Sequence, residues 1–292
     1  MIHRVTTAID PWLGRVLVGR YRILQKAADG RRGALYRAEH TDDGRRIALK
    51  LVLPSAHQTR AAFETRFVRE VEVARSLSDR NTLAVLEGGH ADDRYMFMAS
   101  EWLSGIDLER MLQQRGPLNT RQALFLANQV ARSLANAHRS KVVHGDLAPD
   151  GLFVTRDSRG LSLVKVMDYG RVRISSFNDE GFSQFNMPEG WARYLAPEQI
   201  TGEEFDGRAD IYALGSILYR ALSGVFPFPD ATGIGILMSQ VNDQAPPLKS
   251  HVAARQVPDA VEALVMRCLE KSPNERYASA DELVELTERL AR

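Results

Sequence analysis

Two charged side chains stand where a folded chain tolerates charge poorly. Lys50 closes the apolar run 47–50 inside a strand-like pattern, and Glu70 lies between Phe67 and Ala74, beside the apolar stripe of a helical pattern. A buried charge is stable only when it is paired. Lys50 and Glu70 would each need a partner if buried, although each also suits a side chain that reaches solvent at the edge of its element.

Two aspartates directly follow apolar segments. Asp168 comes after the run 164–167, and Asp146 comes two residues after His144, behind the strand-like pair 142–143. A charge directly beside an apolar segment is costly unless it has a partner or reaches solvent. Taken singly, each aspartate is better explained as a turn residue.

The elements that position these residues change in character near residue 103. From 20 to 103 the apolar period is close to two, which predicts a sheet, and one segment, 60–77, has the three- and four-residue spacing of a helix. Asp-Gly at 43–44 predicts a tight hairpin turn. The predicted strands are 21–26, 34–39, 47–53, 83–86 and 95–103.

After residue 103 the spacing is mostly helical. Asn119 followed by Gln122 predicts a helix start, with the helix running to about Lys141. Segment 211–222 is apolar nearly all round, which is typical of an enclosed helix, and 260–269 and 280–290 continue the helical pattern. We therefore expect a small β-rich lobe followed by a larger helical lobe. The joint lies at 101–105, and a cleft between two lobes favours ligand binding.

Composition narrows the class of protein. The chain has 292 residues, with 38 Lys and Arg against 37 Asp and Glu, which argues against nucleic-acid binding. A single cysteine, Cys268, excludes a disulfide framework or a thiolate zinc site and favours the cytoplasm. We expect no membrane span, because segment 211–222 is too short and carries Arg220. Residues 1–19 lack the pattern of a secretory signal and are expected to form an N-terminal extension.

Taken in order, these pieces resemble the protein kinase family, particularly the bacterial Ser/Thr kinases. The resemblance covers roughly residues 20–290. It implies an α+β, two-lobed protein-kinase-like fold, with a β-rich N-lobe at 20–103 containing one helix, and a helical C-lobe at 104–292. The matching elements are the Gly-rich turn 28–33, Lys50, Glu70, His144-Gly145-Asp146, Asp168-Tyr169-Gly170, Ala196-Pro197-Glu198, Asp210, Gly215 and Arg276.

The resemblance also implies roles at the matching positions. Lys50 would hold the α- and β-phosphates of ATP and be fixed by Glu70, while Asp168 would carry Mg²⁺, with Mn²⁺ as the alternative metal. Asp146 would accept the proton of the substrate hydroxyl. The remaining nucleotide-binding positions are Gly30 and Gly33 in the Gly-rich turn, Ala48, Glu101 and Leu103 at the hinge, and Phe153 below the adenine.

Other matching positions are implied to be structural. His144 and Tyr169 would belong to an internal packing spine, Glu198 and Arg276 would form a buried pair, and Asp210 would cap the backbone around the Asp146 loop. These residues concern the fold and carry no information on turnover.

The departures from the family pattern lie on the catalytic side. The catalytic-loop Lys and Asn of the family are Ala148 and Gly151 here, and the Thr that precedes the Ala-Pro-Glu motif is Trp191. The γ-phosphate loses a cation and the second metal loses a ligand. Ala28 replaces the first glycine of the Gly-rich turn, whose tip carries Arg31-Arg32.

Regulation departs from the family as well. Gly145 replaces the Arg that receives an activation-loop phosphate, and segment 171–195 contains no Thr. Three serines in that segment stay open as phosphate acceptors, namely Ser175, Ser176 and Ser183. The segment also carries Phe177, Phe182, Phe185 and Trp191, which either fold back on the helical lobe or form a docking surface. Ser100, just before the hinge, leaves a back pocket open unless Phe153 compensates for it in packing.

The sequence thus favours a nucleotide-binding pseudokinase that takes ATP and regulates a partner protein, docked on segment 171–195. The alternative is an active ATP-dependent Ser/Thr protein kinase with an atypical catalytic loop, because Lys50, Glu70, Asp146 and Asp168 are retained. A scaffold with a closed nucleotide site is a third alternative. The sequence leaves open the partner, the oligomeric state and whether the chain belongs to a longer, membrane-tethered protein.

Overall fold

The computed structural model of the chain describes residues 10–30, 33–54, 59–169, 189–229 and 233–292. These residues form two compact units. The N-terminal unit runs up to Arg75 and resumes at Ala84–Leu103, and the C-terminal unit consists of Ser76–Leu83 and Ser104–Arg292. Among the described residues, no helix is both long and apolar enough to cross a membrane.

A six-stranded antiparallel sheet and one helix build the N-terminal unit. The strand order is β1-β2-β3-β4-β6-β5, and the helix is α1, Arg60–Ser76. The strands are β1 Val16–Leu17, β2 Tyr21–Gly30, β3 Gly33–His40, β4 Arg46–Val52, β5 Val85–His90 and β6 Met96–Glu101.

The two faces of this sheet carry separate apolar clusters. One face holds Tyr36, Leu49 and Phe97, together with Trp12 from the segment before β1. The other face packs against α1, whose buried residues are those of the predicted stripe, Phe63, Phe67, Val71 and Ala74. The period-two and period-3.6 patterns therefore predicted both element types correctly.

Among the described residues, three strands, eight helices and several short 3-10 turns build the C-terminal unit. A small sheet has the order β7-β8-β9, formed by β7 Ile106–Asp107, β8 Leu152–Arg156 and β9 Ser162–Val166. The described helices are α2 Leu108–Arg115, α3 Thr120–Arg139, α4 Glu189–Ala192, α5 Pro197–Thr201, α6 Arg208–Ser223, α7 Gly233–Asn242, α8 Asp259–Cys268 and α9 Ala280–Leu290.

Helix α3 begins where the sequence predicts. The Asn119 side chain accepts a hydrogen bond from the Gln122 backbone nitrogen at 2.9 Å, and the Gln122 side chain accepts one from the Asn119 nitrogen at 3.1 Å. This reciprocal pair satisfies two of the free N–H groups at the helix start. Helix α6 is buried nearly all round, as its apolar sequence predicts, and forms the centre of a core shared with α3 and α8.

Some predicted boundaries were wrong. Residues 142–143 form no strand, and the segment before β5 pairs instead with β9, since Leu83 donates from its backbone nitrogen to Val166 at 2.9 Å. Strand β2 also runs four residues beyond the predicted end at Lys26, because register shifts between Ile23 and Ala28 extend its pairing with β3 to Gly30.

Candidate nucleotide site and catalytic loop

Strand β4 of the N-terminal unit places Ala48 and Lys50 on one face of the sheet. Residues two apart in a strand point to the same side. Lys50 lies opposite Leu35 of β3 and Met98 of β6, and Ala48 lies opposite Ser100. Both side chains are half-buried. The sheet thus presents a cation beside a small residue on one surface.

Helix α1 packs on that same face. Its Phe67 and Val71 form a cluster with Met98, the cross-strand neighbour of Lys50. Glu70 precedes Val71 and is half-buried. The structure therefore brings the helix that carries Glu70 against the face of the sheet that carries Lys50, and the pairing of the two charges stays a prediction.

Two glycines close the β2–β3 hairpin. Gly30 pairs with Gly33, and Gly33 has a φ of +159°. A Cβ on Gly33 would lie 1.8 Å from the carbonyl oxygen of Leu51 in β4. Close backbone approach therefore requires glycine at this position, whether or not a phosphate binds there. The predicted tip residues Arg31 and Arg32 lie outside the described residues.

The hinge residue Glu101 is anchored within the N-terminal unit. Its backbone nitrogen donates to Ala84 at 3.0 Å, and its carboxylate accepts from the Ala84 nitrogen at 2.9 Å. Leu103, two residues later, is half-buried and ends the unit. Ser100 is 7% exposed and pairs with Val85 as well as Ala48.

Asp210 organises the loop that carries Asp146 in the C-terminal unit. It is 1% exposed and accepts hydrogen bonds from the backbone nitrogens of His144 and Gly145 and from His138 Nε2, each at 2.8 Å. Gly145 has a φ of +70°, which a glycine adopts without strain. The predicted capping role of Asp210 is confirmed.

His144 links this loop to the segment before Asp168. Its Nε2 lies 2.9 Å from the carbonyl oxygen of Met167, and its Nδ1 lies 3.3 Å from the Asp146 nitrogen. A neutral imidazole with the proton on Nε2 satisfies both contacts, as donor to Met167 and acceptor from Asp146. The loops that carry Asp146 and Asp168 are therefore held together by one buried ring.

Asp168 has a left-handed backbone, with a φ of +62°. Such a conformation is uncommon outside glycine and tends to occur at functional sites. The preceding residue, Met167, donates to the Gly151 carbonyl at 2.9 Å, and the following residue, Tyr169, is 2% exposed with its ring centroid 4.7 Å from that of His144. The two residues that the resemblance assigns to an internal packing spine are thus in contact, and the spine as a whole stays a prediction.

The donor set near Asp168 suits a metal that is shared with a ligand. Among the described residues, no group of three His, Cys, Asp or Glu side chains could hold a metal ion alone. Mg²⁺ in nucleotide sites commonly takes one or two carboxylates together with phosphate oxygens, and Asp168 supplies one such carboxylate. Asp168 therefore fits a Mg²⁺ that it would share with nucleotide phosphates, and its role as a metal ligand stays a prediction.

Two departures from the family pattern, Ala148 and Gly151, lie at the turn Pro149–Gly151. Ala148 is half-buried and precedes the turn, and Asp150 is exposed. No described atom lies within 4 Å of the position that a Cβ on Gly151 would occupy, and its φ is not positive. Neither close packing nor backbone conformation therefore requires glycine at this position.

Phe153 lies in β8, opposite Lys165 of β9. A Cβ on Gly105 would lie 3.0 Å from Phe153 Cε1, so the ring packs against the segment that follows the hinge. Phe153 therefore contacts the first residues of the C-terminal unit after the hinge. Its predicted place below an adenine stays a prediction.

Sequence reasoning missed several residues that hold the site. Gln199 donates to the Gly145 carbonyl at 3.0 Å, and Ser133 lies 2.9 Å from the Tyr169 hydroxyl and 2.6 Å from the Thr82 hydroxyl. The signal in each case was a polar residue within an apolar pattern. Gly170 and residues 171–188, including Phe177, Phe182, Phe185 and the three serines, lie outside the described residues. Trp191 lies in α4, where its backbone alone is among the described parts of the chain.

Comparison with known proteins identifies the class. Residues 21–287 match the family model described as the protein kinase domain, and the chain therefore belongs to the protein kinase family. The fold is the protein kinase fold, with a β-rich N-lobe, here the N-terminal unit, and a helical C-lobe, here the C-terminal unit.

The relatives are bacterial kinases. The chain is 31% identical over 281 residues to the serine/threonine-protein kinase pkn3 of Myxococcus xanthus, covering 94% of this chain and 51% of that protein. It is 31% identical over 265 residues to the serine/threonine-protein kinase PknD of Mycobacterium tuberculosis, covering 91% and 39%. The chain thus spans about half the length, or less, of these curated relatives.

Among solved structures, the kinase domain of PknI from Mycobacterium tuberculosis, crystallised as a double mutant, matches with a TM-score of 0.71 and 25% identity. The match covers 96% of this chain and 98% of that domain.

Proposed function

We propose that this protein is a nucleotide-binding pseudokinase that binds ATP with Mg²⁺ and regulates a partner protein from the cytoplasm. The observation that carries the proposal is the pair of positions 148 and 151, where the family pattern has a Lys and an Asn and this chain has Ala148 and Gly151. Because no packing of the described residues requires a glycine at 151, lost chemistry explains the missing side chain better than the fold does.

The size of the loss supports weak or absent phosphotransfer. Catalysis by this family depends on positioning and on charge stabilisation, so each missing group is expected to lower the rate by about 10² to 10³. The effects of cooperating residues are not additive, and together they give a loss of about 10⁴ or more. Nucleotide binding depends more on Lys50, Glu70 and Asp168, which are retained.

An active Ser/Thr protein kinase is the second candidate, and a specific observation favours it. The loop of Asp146 and the segment of Asp168 are joined by His144 and held by Asp210, so the backbone that carries both carboxylates is supported throughout. In this alternative Asp146 accepts the proton of a substrate hydroxyl, and the ATP supplies the phosphoryl group.

The two candidates differ in one pair of measurements. Thermal shift with ATP alone, with Mg²⁺ and with Mn²⁺ reports binding, because a ligand that binds only the folded state raises the melting midpoint. Transfer of radiolabelled γ-phosphate is then measured on the same sample, with Asp168→Asn as the control. We expect a metal-dependent shift without transfer above the control. Transfer that Asp168→Asn abolishes would make the chain an enzyme, and the absence of any shift would leave a scaffold with a closed site.

A restored variant tests the cause of inactivity. Ala148→Lys, Gly151→Asn and Trp191→Thr together return the three family residues, and no described atom lies within 4 Å of the position of a Cβ at 151. We expect transfer to rise at least about 10²-fold above the Asp168→Asn background. The matched control adds Asp146→Asn to the restored variant and should return transfer to background.

A further inference from the structure

The segment that precedes the kinase-family match is built into the N-terminal unit. The match begins at residue 21, yet Trp12 is only 6% exposed and belongs to a core cluster of the sheet. Strand β1 adds to the edge of β2, with Val16 opposite Arg22 and Leu17 opposite Tyr21. Residues 10–17, here called the latch segment, are therefore a packed part of this unit.

Trp12 anchors the latch segment to the far side of the sheet. Its ring lies edge-to-face with that of Tyr95, with centroids 5.2 Å apart, and Tyr95 precedes β6. The Arg15 guanidinium lies 5.2 Å from the Trp12 ring centroid. Aromatic pairs of this geometry add to the stabilisation from burial alone. The anchor is thus separate from the β2–β3 hairpin.

Asp10 contacts both strands of that hairpin. Its carboxylate accepts a hydrogen bond from the Tyr36 hydroxyl of β3 at 2.9 Å and lies 3.8 Å from the Lys26 ammonium of β2. The other carboxylate oxygen accepts from the Trp12 backbone nitrogen at 3.0 Å, which fixes Asp10 to the anchor. The Asp10 side chain is 17% exposed, so water competes only weakly for these contacts.

The Asp10 contact lies beside a register shift in the β2–β3 hairpin. Lys26 and Tyr36 are direct cross-strand partners, and the register of the hairpin shifts between Lys26 and Ala28. Lys26 also forms an ion pair with Asp29, one residue before Gly30. Asp10 therefore contacts the hairpin at Lys26 and Tyr36, just before the part that leads to Gly30 and Gly33. Lys26 in turn contacts Asp29, which lies closer to these glycines.

We propose that Asp10 is a positioning residue, which fixes the β2–β3 hairpin relative to the rest of the sheet and thereby sets how tightly the hairpin covers a bound nucleotide. The effect on nucleotide rests on the proposed function, whereas the effect on the hairpin does not. Without the Asp10 contacts, the hairpin is expected to open more often, and bound nucleotide is expected to leave faster.

Two measurements on the whole chain test the proposal. Hydrogen–deuterium exchange without nucleotide compares wild type with Asp10→Asn, which keeps the size of the side chain and removes its charge. Hydrogen bonds to a charged group stabilise a structure more than neutral ones do. Their loss is therefore expected to make exchange roughly tenfold faster in β2 and β3 and to leave exchange in β5 and β6 unchanged. The dissociation rate of a fluorescent ATP analogue with Mg²⁺ is then expected to rise roughly tenfold as well.

Matched variants make the outcome decisive. Asp42→Asn removes an 81% exposed carboxylate of the same unit and should change neither measurement, while Asp10→Glu should restore most of the wild-type behaviour. Unchanged exchange in the hairpin, or equally faster exchange in β5 and β6, would contradict the proposal that Asp10 fixes the hairpin. Faster exchange with an unchanged dissociation rate would overturn its effect on the nucleotide. If wild type binds no analogue, the proposed function fails, and the exchange measurement alone tests whether Asp10 fixes the hairpin.

Discussion

Arg276 and Glu198 form a buried bidentate ion pair inside the C-terminal unit. The bonds measure 2.6 Å from Nη1 to Oε1 and 2.8 Å from Nη2 to Oε2, and the side chains are 0% and 5% exposed. The remaining N–H groups of Arg276 donate to the carbonyl oxygens of Arg208, Glu270 and Lys271. All five donors of the guanidinium are thus satisfied, and the predicted buried pair is confirmed.

Breaking this pair should strongly destabilise the protein. Arg276→Met leaves the Glu198 charge buried without its partner, and we expect a loss of about 3–5 kcal/mol in the free energy of unfolding. The control is Arg139→Met, which removes an exposed pair with Asp281 and should cost at most about 1 kcal/mol. Urea denaturation measures both. Equal losses in the two variants would contradict the assigned role of the pair.

The pair of Glu109 and Arg220 should make stability sensitive to acid. The hydrogen bonds from Arg220 lower the pKa of Glu109 below its ordinary value of 4.5, despite partial burial. A lowered carboxyl pKa contributes stability that is present above pH 4.5 and is lost as the pH falls through the lowered value. Glu109→Gln should therefore be less stable than wild type at neutral pH and show a shallower loss of stability in acid.

Denaturation of both proteins between pH 7 and pH 3 checks this expectation. Glu203→Gln is a suitable control, because that carboxylate is exposed. An acid profile of Glu109→Gln that parallels wild type would contradict the proposed linkage.

The hydroxyl of Tyr169 should contribute measurably to stability through Ser133. The chain Thr82–Ser133–Tyr169 has oxygen separations of 2.6 and 2.9 Å and is buried. Tyr169→Phe removes one hydrogen bond and leaves Ser133 paired with Thr82, so we expect a loss of about 0.5–1.5 kcal/mol. A double-mutant cycle with Ser133→Ala should give a coupling energy of similar size. Additive losses would show that the two hydroxyls act independently.

The thiol of Cys268 should be inert in the folded protein. The side chain is fully buried, and burial raises the pKa of the thiol to about 12. Thiols react as thiolates, so a maleimide reagent at pH 7 should label the native protein only on unfolding. The rate of labelling in increasing urea should follow the unfolding transition measured by circular dichroism. Rapid stoichiometric labelling without denaturant would disprove this burial.

Local patterns in the sequence predicted most of the regular structure. The stripe Phe63, Phe67, Val71 and Ala74 and the capping pair Asn119 and Gln122 depend on neighbours within one element, so spacing alone reveals them. Short pieces were harder to predict. The two-residue strands β1 and β7 form because a longer strand lies beside them, and no periodicity can appear in two residues.

The candidate site divides in the same way. The order of motifs indicated Lys50, Glu70, Asp146 and Asp168, and the buried pair of Glu198 and Arg276, because the residue types themselves mark these positions. Apart from Asp210, whose capping role the sequence predicted, the supports of the site became visible only in the folded chain. His138, Gln199 and Asp210 meet around the backbone of residues 144 and 145 although they come from three separate elements.

The sequence by itself determined the family, the longer helices and strands, and the absence of the catalytic-loop Lys and Asn. The tertiary structure decided which polar residues hold the loop, why Gly33 must be glycine while Gly151 need not be, and how Asp10 reaches Lys26 and Tyr36. The reason is physical. Periodicity and motifs record local preferences, whereas a hydrogen bond between residues far apart in the chain depends on distances that exist only after the elements have packed.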